Sequence, residues 1–223
     1  MAPPMEIDAE AETVLRFRAK AVLRQRARAL RNTIPEGAIK ERSQQIVAAL
    51  LGIPEVAGAR SVALFYPIEG RNEVDLRPLD AELRAKGVKI AYPTIDPETR
   101  VMTFRFVVET EAMEERGFGF REPAADAEDA SELDVVVVPA LQIDGSGHRI
   151  GYGAGYYDRT LPRYCPPAIA IGVAFDFQLV AEVPVTQGDV AVSMVVTDQR
   201  VFRVGDAREE DTRASKRKSP AKA

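Results

Sequence analysis

The chain has very few of the residues that most often bind metals or form cross-links. It contains one histidine, His148, one cysteine, Cys165, and no tryptophan in 223 residues. A single histidine excludes a site in which several histidines of one chain bind a metal, and a single cysteine excludes an internal disulfide framework. Any Ser-His-Asp or Cys-His mechanism would have to use His148, which lies in the turn-rich segment DGSGH and is expected to be an ordinary solvated residue.

The chain also lacks a strong charge imbalance and a long apolar run. Its 30 basic and 34 acidic residues leave a net charge of −4, so no overall field favours nucleic acid or membrane surfaces. No apolar run approaches the ~20 residues needed to span a bilayer. The N-terminal segment MAPPMEIDAEAE is acidic and has no apolar core, unlike a secretory signal. We therefore expect a cytoplasmic protein with no membrane partner and no nucleic-acid partner.

The remaining composition predicts one α/β domain. Residues 1–12 and the charged tail 206–223 are predicted to be disordered, and residues 13–205 form the domain. Unbroken apolar segments predict strands at 61–66, 88–92, 134–140, 168–175 and 192–198, with a less buried, alternating strand at 101–108. Helical patterns separate several of these strands. The sequence thus predicts a three-layer α/β/α fold with a largely parallel central sheet, similar to a Rossmann fold.

The first predicted helix, 13–34, carries an apolar stripe and a basic strip. The stripe is expected to face inward and consists of Leu15, Ala19, Val22, Leu23, Ala27, Leu30 and Ile34. The basic strip beside it consists of Lys20, Arg24, Arg28 and Arg31. Four like charges on one strip indicate either a solvated face, an RNA-contacting surface or a site for another negative group.

The segment HRIGYGAGYYD, 148–158, places three glycines between Arg149 and Asp158. It follows the strand at 134–140 after a short connection and precedes a helical turn that Pro162 is expected to limit. Glycines at this position let backbone N–H groups approach phosphate oxygens. Arg149 could then pair with phosphate and Asp158 could hold magnesium. A tight turn with a solvated arginine and a helix-capping aspartate is the simpler alternative.

A third candidate segment, YPIEGRNEVDLRPL, follows the strand at 61–66. Glu73 and Asp75 precede a predicted helix, so N-terminal capping explains one of them. A carboxylate at a strand end can also bind the N–H edge of a heterocycle. Spacing alone leaves both interpretations open.

Together these segments resemble the 5-formyltetrahydrofolate cyclo-ligase family. RIGYGAGYYD is similar to the family's Arg-Leu-Gly-x-Gly-x-Gly-Tyr-Tyr-Asp motif, and KAVLRQRARALR is similar to its opening helix. LDVVVVPALQIDGSGHR, GFREP and GDVAVSMVVTD follow in the family's order, so the resemblance covers roughly residues 16–200. It implies a magnesium- and ATP-dependent ligase that closes 5-formyltetrahydrofolate, with or without a polyglutamate tail, to 5,10-methenyltetrahydrofolate, and we expect a monomer.

The resemblance also assigns roles by position. It implies catalysis by Arg149 and Lys20. The implied ATP-binding residues are Lys20, Arg24, Arg149, Gly151, Gly153, Gly155, Tyr156 and Tyr157. The implied folate-binding residues are Tyr66, Glu73, Tyr152, Ala154 and Tyr156, with an aromatic at Phe118 nearby. Asp158 and Asp189 are the implied magnesium ligands.

Two departures and two alternatives qualify this assignment. Ala154 replaces a lysine or glycine of the family motif, and the segment EGR, 69–71, lengthens the loop before Glu73. One alternative is a relative that binds nucleotide or RNA without cyclising folate. The other, a sugar-phosphate isomerase on a similar scaffold, is a fold-level analogy and leaves the basic helix unexplained.

Overall fold

The computed structural model describes residues 8–116 and 121–205. Its helices are α1 (Ala9–Asn32), α2 (Glu36–Leu51), α3 (Pro54–Ala57), α4 (Arg77–Ala85) and α5 (Tyr156–Tyr164). Its strands are β1 (Ser61–Ala63), β2 (Lys89–Ile95), β3 (Met102–Phe106), β4 (Glu114–Glu115), β5 (Arg121–Glu122), β6 (Val135–Pro139), β7 (Gln142–Asp144), β8 (Arg149–Ile150), β9 (Ile169–Val173), β10 (Leu179–Val180), β11 (Met194–Val196) and β12 (Val201–Arg203). Phe118, residues 1–7 of the predicted disordered N-terminus and the tail 206–223 lie outside the described residues.

The main sheet is largely parallel, as predicted. Within the described residues it has seven strands in the order β12-β11-β9-β6-β1-β2-β3. Neighbouring strands from β11 to β2 are parallel, and the edge strands β3 and β12 pair antiparallel. The carboxyl ends of the parallel strands therefore meet at one edge, where ligands of open α/β sheets bind.

Both faces of this sheet are covered, which confirms the three-layer prediction. The valines of β6 alternate between two apolar clusters: Val135 and Val137 join one, and Val136 and Val138 join the other. The first cluster contains the inward residues of α2 and α4, and the second contains Leu161 and Tyr164 of α5. A continuous apolar strand is thus buried on both sides.

A second, smaller sheet was not predicted, and its strands alternate along the chain with those of the main sheet: β7 and β8 follow β6, and β10 follows β9. It has the order β10-β7-β8, with β7 and β8 antiparallel and β10 parallel to β7. Leu141, Ile150 and Val183 of this region are buried against Ala27 of α1. The small sheet therefore holds the first helix and the start of the glycine segment together.

Helix α1 buries a different face from the one predicted. It begins at Ala9, before the predicted boundary, with the carboxylate of Asp8 accepting from the backbone N–H of Glu10. Leu15, Val22 and Leu30 of the predicted inward stripe are 53%, 47% and 49% exposed. The inward prediction was wrong for these three residues, because the helix instead turns much of its basic strip towards polar partners. No helix in the described parts of the chain is both long and apolar enough to cross a membrane.

Candidate active site

Lys20 joins the start of the chain to a segment near its end. Its ammonium group donates to the carboxylate of Asp189 and, at 2.8 Å, to the hydroxyl oxygen of Thr186. Asp189 also accepts from the backbone N–H of Thr186 at 2.7 Å. Burial acts to raise the pKa of Asp189, but the hydrogen bonds from Lys20 and Thr186 prevail and hold that pKa below its ordinary value. The carboxylate is therefore ionised at neutral pH.

Arg24 lies directly against the glycine segment. Its Nε donates to the carbonyl oxygen of Gly151 at 2.8 Å. Gly153 has a φ of +105°, and a Cβ added there would come within 2.9 Å of Arg24 Cζ. Only glycine combines this left-handed backbone with such a close approach. The loop backbone therefore lies directly against the Arg24 guanidinium.

Arg149 and Asp158 stand at the two ends of the same loop and contact each other. Arg149 Nη2 lies 2.9 Å from Asp158 Oδ1, and Arg149 Nη1 donates to the carbonyl oxygen of Val190 at 2.5 Å. Burial is the largest influence on Arg149 and lowers its pKa, although Asp158 opposes the shift. The side chain of Arg149 is only 5% exposed, so its charge is held in a weakly screened environment.

The two predicted magnesium ligands are both paired with cations in the structure. The described part of the chain contains no group of three or more acidic, histidine or cysteine side chains placed to hold a metal. The hydrogen bonds of Asp158 use Oδ1 and those of Asp189 use Oδ2, so one oxygen of each carboxylate has no hydrogen bond among the described residues. Each carboxylate therefore keeps one oxygen of the kind that Mg²⁺ takes as a ligand.

Helix α5 begins at Tyr156, directly after Gly155, whose φ is +67°. Tyr156 and Tyr157 open the helix, and the guanidinium of Arg159 lies 5.4 Å from the ring centre of Tyr156. The hydroxyl oxygen of Tyr157 is buried without a hydrogen-bond partner among the described residues. Burial raises the pKa of Tyr157, so the phenol stays protonated and can donate to a ligand. Ala154 is exposed and offers only its carbonyl, which accepts from Arg159 at 2.9 Å.

Glu73 lies in a buried network with the loop. Its Oε1 accepts from the Tyr152 hydroxyl at 2.5 Å, and its Oε2 accepts from the backbone N–H of Ile68 at 2.8 Å. Arg31 donates to the Tyr152 hydroxyl at 2.7 Å and lies 3.7 Å from Glu73 Oε1. The pKa of Tyr152 is raised to about 12. Burial is the largest cause, and the neighbouring Glu73 is the second. Asp75, by contrast, accepts from the backbone N–H of Arg77, the first residue of α4, at 3.0 Å.

Arginines surround the Tyr152 ring. The guanidinium carbons of Arg28, Arg31 and Arg71 lie 6.0, 5.9 and 5.9 Å from its centre. Neither Arg28 nor Arg71 forms an ion pair within residues 8–116 and 121–205. Tyr66, the remaining predicted folate residue, packs against Tyr92 with ring centres 6.3 Å apart, and Arg121 lies 5.6 Å from its ring centre.

The predicted site residues therefore fall into two neighbouring groups joined by Tyr152. The phosphate-type group contains Lys20, Arg24, Arg149, Asp158, Asp189 and the glycines. Glu73 lies across Tyr152 from it, and Arg31 and Glu73 together line a small cavity with residues at the ends of β6 and β9. The structure adds Arg31, Arg71 and Thr186 to the site. The basic strip already pointed to Arg31, whereas nothing in the sequence pointed to Thr186.

A larger cavity of about 560 Å³ lies elsewhere, along β3 and the end of α5. None of the predicted site residues lines it. Its Arg105 is already paired with Asp129, with Nε 3.2 Å from Oδ1. The charged side chains around the glycine segment, and not the size of a cavity, therefore identify the candidate active site.

Comparisons with known proteins point to one family. A family model described as the 5-formyltetrahydrofolate cyclo-ligase family matches residues 16–198. The chain is 33% identical to the 5-formyltetrahydrofolate cyclo-ligase of Escherichia coli K12 over 187 residues, covering 81% of this chain and 99% of that protein. It is 32% identical to the enzyme of the same name from Mycolicibacterium smegmatis over 191 residues, covering 82% and 95%.

Solved structures agree with this match. The NMR structure of Aquifex aeolicus 5,10-methenyltetrahydrofolate synthetase is similar with a TM-score of 0.74 and 30% identity, covering 84% of this chain and 93% of that one. The Mycoplasma pneumoniae 5,10-methenyltetrahydrofolate synthetase has a TM-score of 0.62 at 21% identity, covering 80% and 98%, and supports the fold alone.

Proposed function

Because the chain belongs to the 5-formyltetrahydrofolate cyclo-ligase family, we propose that it closes 5-formyltetrahydrofolate to 5,10-methenyltetrahydrofolate and that this reaction consumes ATP and releases ADP and phosphate. One observation carries the proposal beyond the resemblance. The cations and carboxylates expected around a triphosphate converge on the glycine loop, and a residue of that loop, Tyr152, is hydrogen-bonded to Glu73. The two substrates would therefore meet across a single loop.

The nucleotide half is assigned to α1, the glycine loop and the start of α5. Lys20, Arg24 and Arg149 supply cations for the phosphates, and Gly151, Gly153 and Gly155 supply backbone N–H groups. Tyr156 and Tyr157 are assigned to the same half, where the unpartnered hydroxyl of Tyr157 can donate to a phosphate or formyl oxygen. Magnesium, held by Asp158, Asp189 and the phosphates, would neutralise charge on the triphosphate.

The folate half is assigned to Tyr66, Glu73, Tyr152, Tyr156 and Ala154. The buried carboxylate of Glu73 can accept from the N–H groups of the pterin ring, and the Tyr66 ring offers an aromatic wall. Ala154 is exposed and uncharged, so it leaves room beside the loop where some relatives carry a lysine.

The proposed reaction has two steps. The formyl oxygen first attacks the γ-phosphorus and ADP leaves, which converts the formyl oxygen into a phosphate leaving group. N10 then attacks the activated carbon, the phosphate departs and the N10 proton is released. Arg149 and Lys20 stabilise the charge that develops on the phosphoryl oxygens, and the loop aligns that group with the folate.

An absorbance assay for methenyltetrahydrofolate tests the function directly. With 5-formyltetrahydrofolate and magnesium, we expect product only when ATP is added. Asp158→Asn, which replaces the carboxylate proposed to hold magnesium with an amide, is expected to lower turnover by about a hundredfold or more. A folded protein that binds ATP but forms no product would contradict the cyclo-ligase assignment and favour a nucleotide- or RNA-binding relative.

Gly153→Ala is expected to weaken nucleotide binding by about tenfold or more. The new Cβ would enforce an unfavourable left-handed backbone, at roughly 1–3 kcal/mol, and would press on Arg24. Calorimetric titration with a magnesium–ATP analogue measures the loss. Gly145→Ala is the matched control, since no heavy atom lies within 4 Å of its added Cβ. Unchanged affinity in Gly153→Ala would show that phosphate does not approach the loop here.

A further inference from the structure

Glu73 offers no unused carboxylate oxygen in this structure. Oε1 accepts from the Tyr152 hydroxyl at 2.5 Å, and Oε2 accepts from Ile68 N–H at 2.8 Å. The carboxylate is almost fully buried, so solvent does not provide a further binding position. A ligand N–H that binds Oε1 at the position where the phenol now donates must therefore displace Tyr152.

The nucleotide side is closed in the same way. Arg24 donates to the Gly151 carbonyl at 2.8 Å, and its guanidinium lies against Gly153 so tightly that one added carbon would be 2.9 Å from Cζ. A phosphate group is far larger than one carbon. Its entry between Arg24 and the loop therefore requires the loop and the guanidinium to separate.

Tyr152 lies between Gly151 and Gly153, so a displacement of the loop backbone also displaces the base of the Tyr152 side chain. We propose that Tyr152 is a positioning residue that couples the nucleotide site to the folate site, so that binding of either substrate prepares the protein for the other. This inference rests on the function proposed above and adds an energetic link between its two halves. The link is the hydrogen bond between the Tyr152 hydroxyl and Glu73.

The sign of the coupling follows from which contacts each ligand must break. The first ligand to arrive moves the loop and breaks both the Tyr152–Glu73 bond and the Arg24–Gly151 contact. The second ligand finds these contacts already broken and binds more tightly. By thermodynamic linkage the enhancement is the same in either order, and about tenfold is a typical size.

The arginines around Tyr152 favour the same movement. Arg28 and Arg71 lie about as far from the ring as Arg31, at 6.0 and 5.9 Å, and neither forms an ion pair among the described residues. A triphosphate attracts a guanidinium far more strongly than a phenol ring does. Nucleotide binding thus removes contacts that hold the ring over Glu73.

The test compares binding with and without the second substrate. A non-hydrolysable ATP analogue with magnesium is titrated calorimetrically into the protein alone and into the protein saturated with 5-formyltetrahydrofolate, and the order is then reversed. We expect the wild type to show the same enhancement, about tenfold, in both orders. Tyr152→Phe keeps the ring but loses the hydroxyl, and its enhancement is expected to fall to about twofold or less while both ligands still bind.

Tyr92→Phe is the matched control. It also removes a buried phenol–carboxylate bond, from Tyr92 to Asp80 at 3.1 Å, but leaves the loop untouched. It should keep the wild-type enhancement, and thermal melting shows that each variant is folded. A full enhancement in Tyr152→Phe, or none in the wild type although both ligands bind, would overturn the coupling alone. A wild type that binds neither ligand would overturn the proposed function, and the coupling with it.

Discussion

Arg149→Ala is expected to reduce kcat/KM for ATP-dependent cyclisation by about a thousandfold or more. The guanidinium is almost fully buried, so the charge it presents to a transferring phosphoryl group is weakly screened. Nothing else in the loop replaces this cation, because Ala154 carries no charge. The measurement is the rate of methenyltetrahydrofolate formation under saturating and limiting ATP.

Folding must be separated from catalysis in this variant. Removal of Arg149 also leaves the Val190 carbonyl without its side-chain donor and takes from Asp158 one of its two donors, which costs about 1–3 kcal/mol. Arg149→Lys keeps a positive charge but cannot reproduce both hydrogen bonds, so it should fold better and still turn over slowly. Arg163→Ala removes an arginine of α5 that stacks on Tyr164, and it serves as the control with unchanged activity. Wild-type rates in a folded Arg149→Ala protein would exclude the proposed role.

Glu73→Gln is expected to weaken folate binding by about a hundredfold. An amide offers one carbonyl oxygen, whereas the Glu73 carboxylate accepts on both sides and carries the charge that a pterin N–H edge favours. The same change leaves the buried Arg31 without its anionic partner, which costs roughly 3 kcal/mol of stability. Titration with 5-formyltetrahydrofolate and thermal melting measure the two effects separately.

Asp75→Asn distinguishes this role from helix capping. Asp75 precedes the same helix and pairs with Arg77, with Oδ2 2.6 Å from Nη2, but it is not part of the Tyr152 network. We expect this variant to lose some stability and to bind folate normally. Equal folate affinity in wild type and Glu73→Gln would assign Glu73 a structural role only.

Sequence patterns predicted the main sheet well because its strands are buried on both faces. Val135 to Val138 form a run that no surface segment could carry, and the structure buries all four completely. The small sheet escaped prediction because its strands have two or three residues and β10 pairs with a distant strand. Helix α5 also continues past Pro162 to Tyr164, whereas the proline was expected to limit it.

The first helix shows where periodicity misleads. Apolar residues at helical spacing indicated an inward face through Leu15, Val22 and Leu30, yet these are among its more exposed side chains. Lys20 and Arg31 are buried instead, because a carboxylate, a hydroxyl and a phenol far along the chain accept hydrogen bonds from them. The spacing of polar and apolar residues indicates which side chains avoid water. It does not identify hydrogen-bond partners that lie far away in the sequence.

The time at which the proposed nucleotide half can assemble depends on the order in which the chain is synthesised. Lys20 and Asp189 are separated by 169 positions, and Arg24 and Gly151 by 127. A protein synthesised from its N-terminus exposes the basic strip of α1 long before the partners of that strip leave the ribosome. During that interval the four cations have neither their carboxylate nor their loop. The proposed phosphate site is therefore among the last parts of the molecule to form, and we expect a nascent chain to lack it until the segment around Asp189 has emerged.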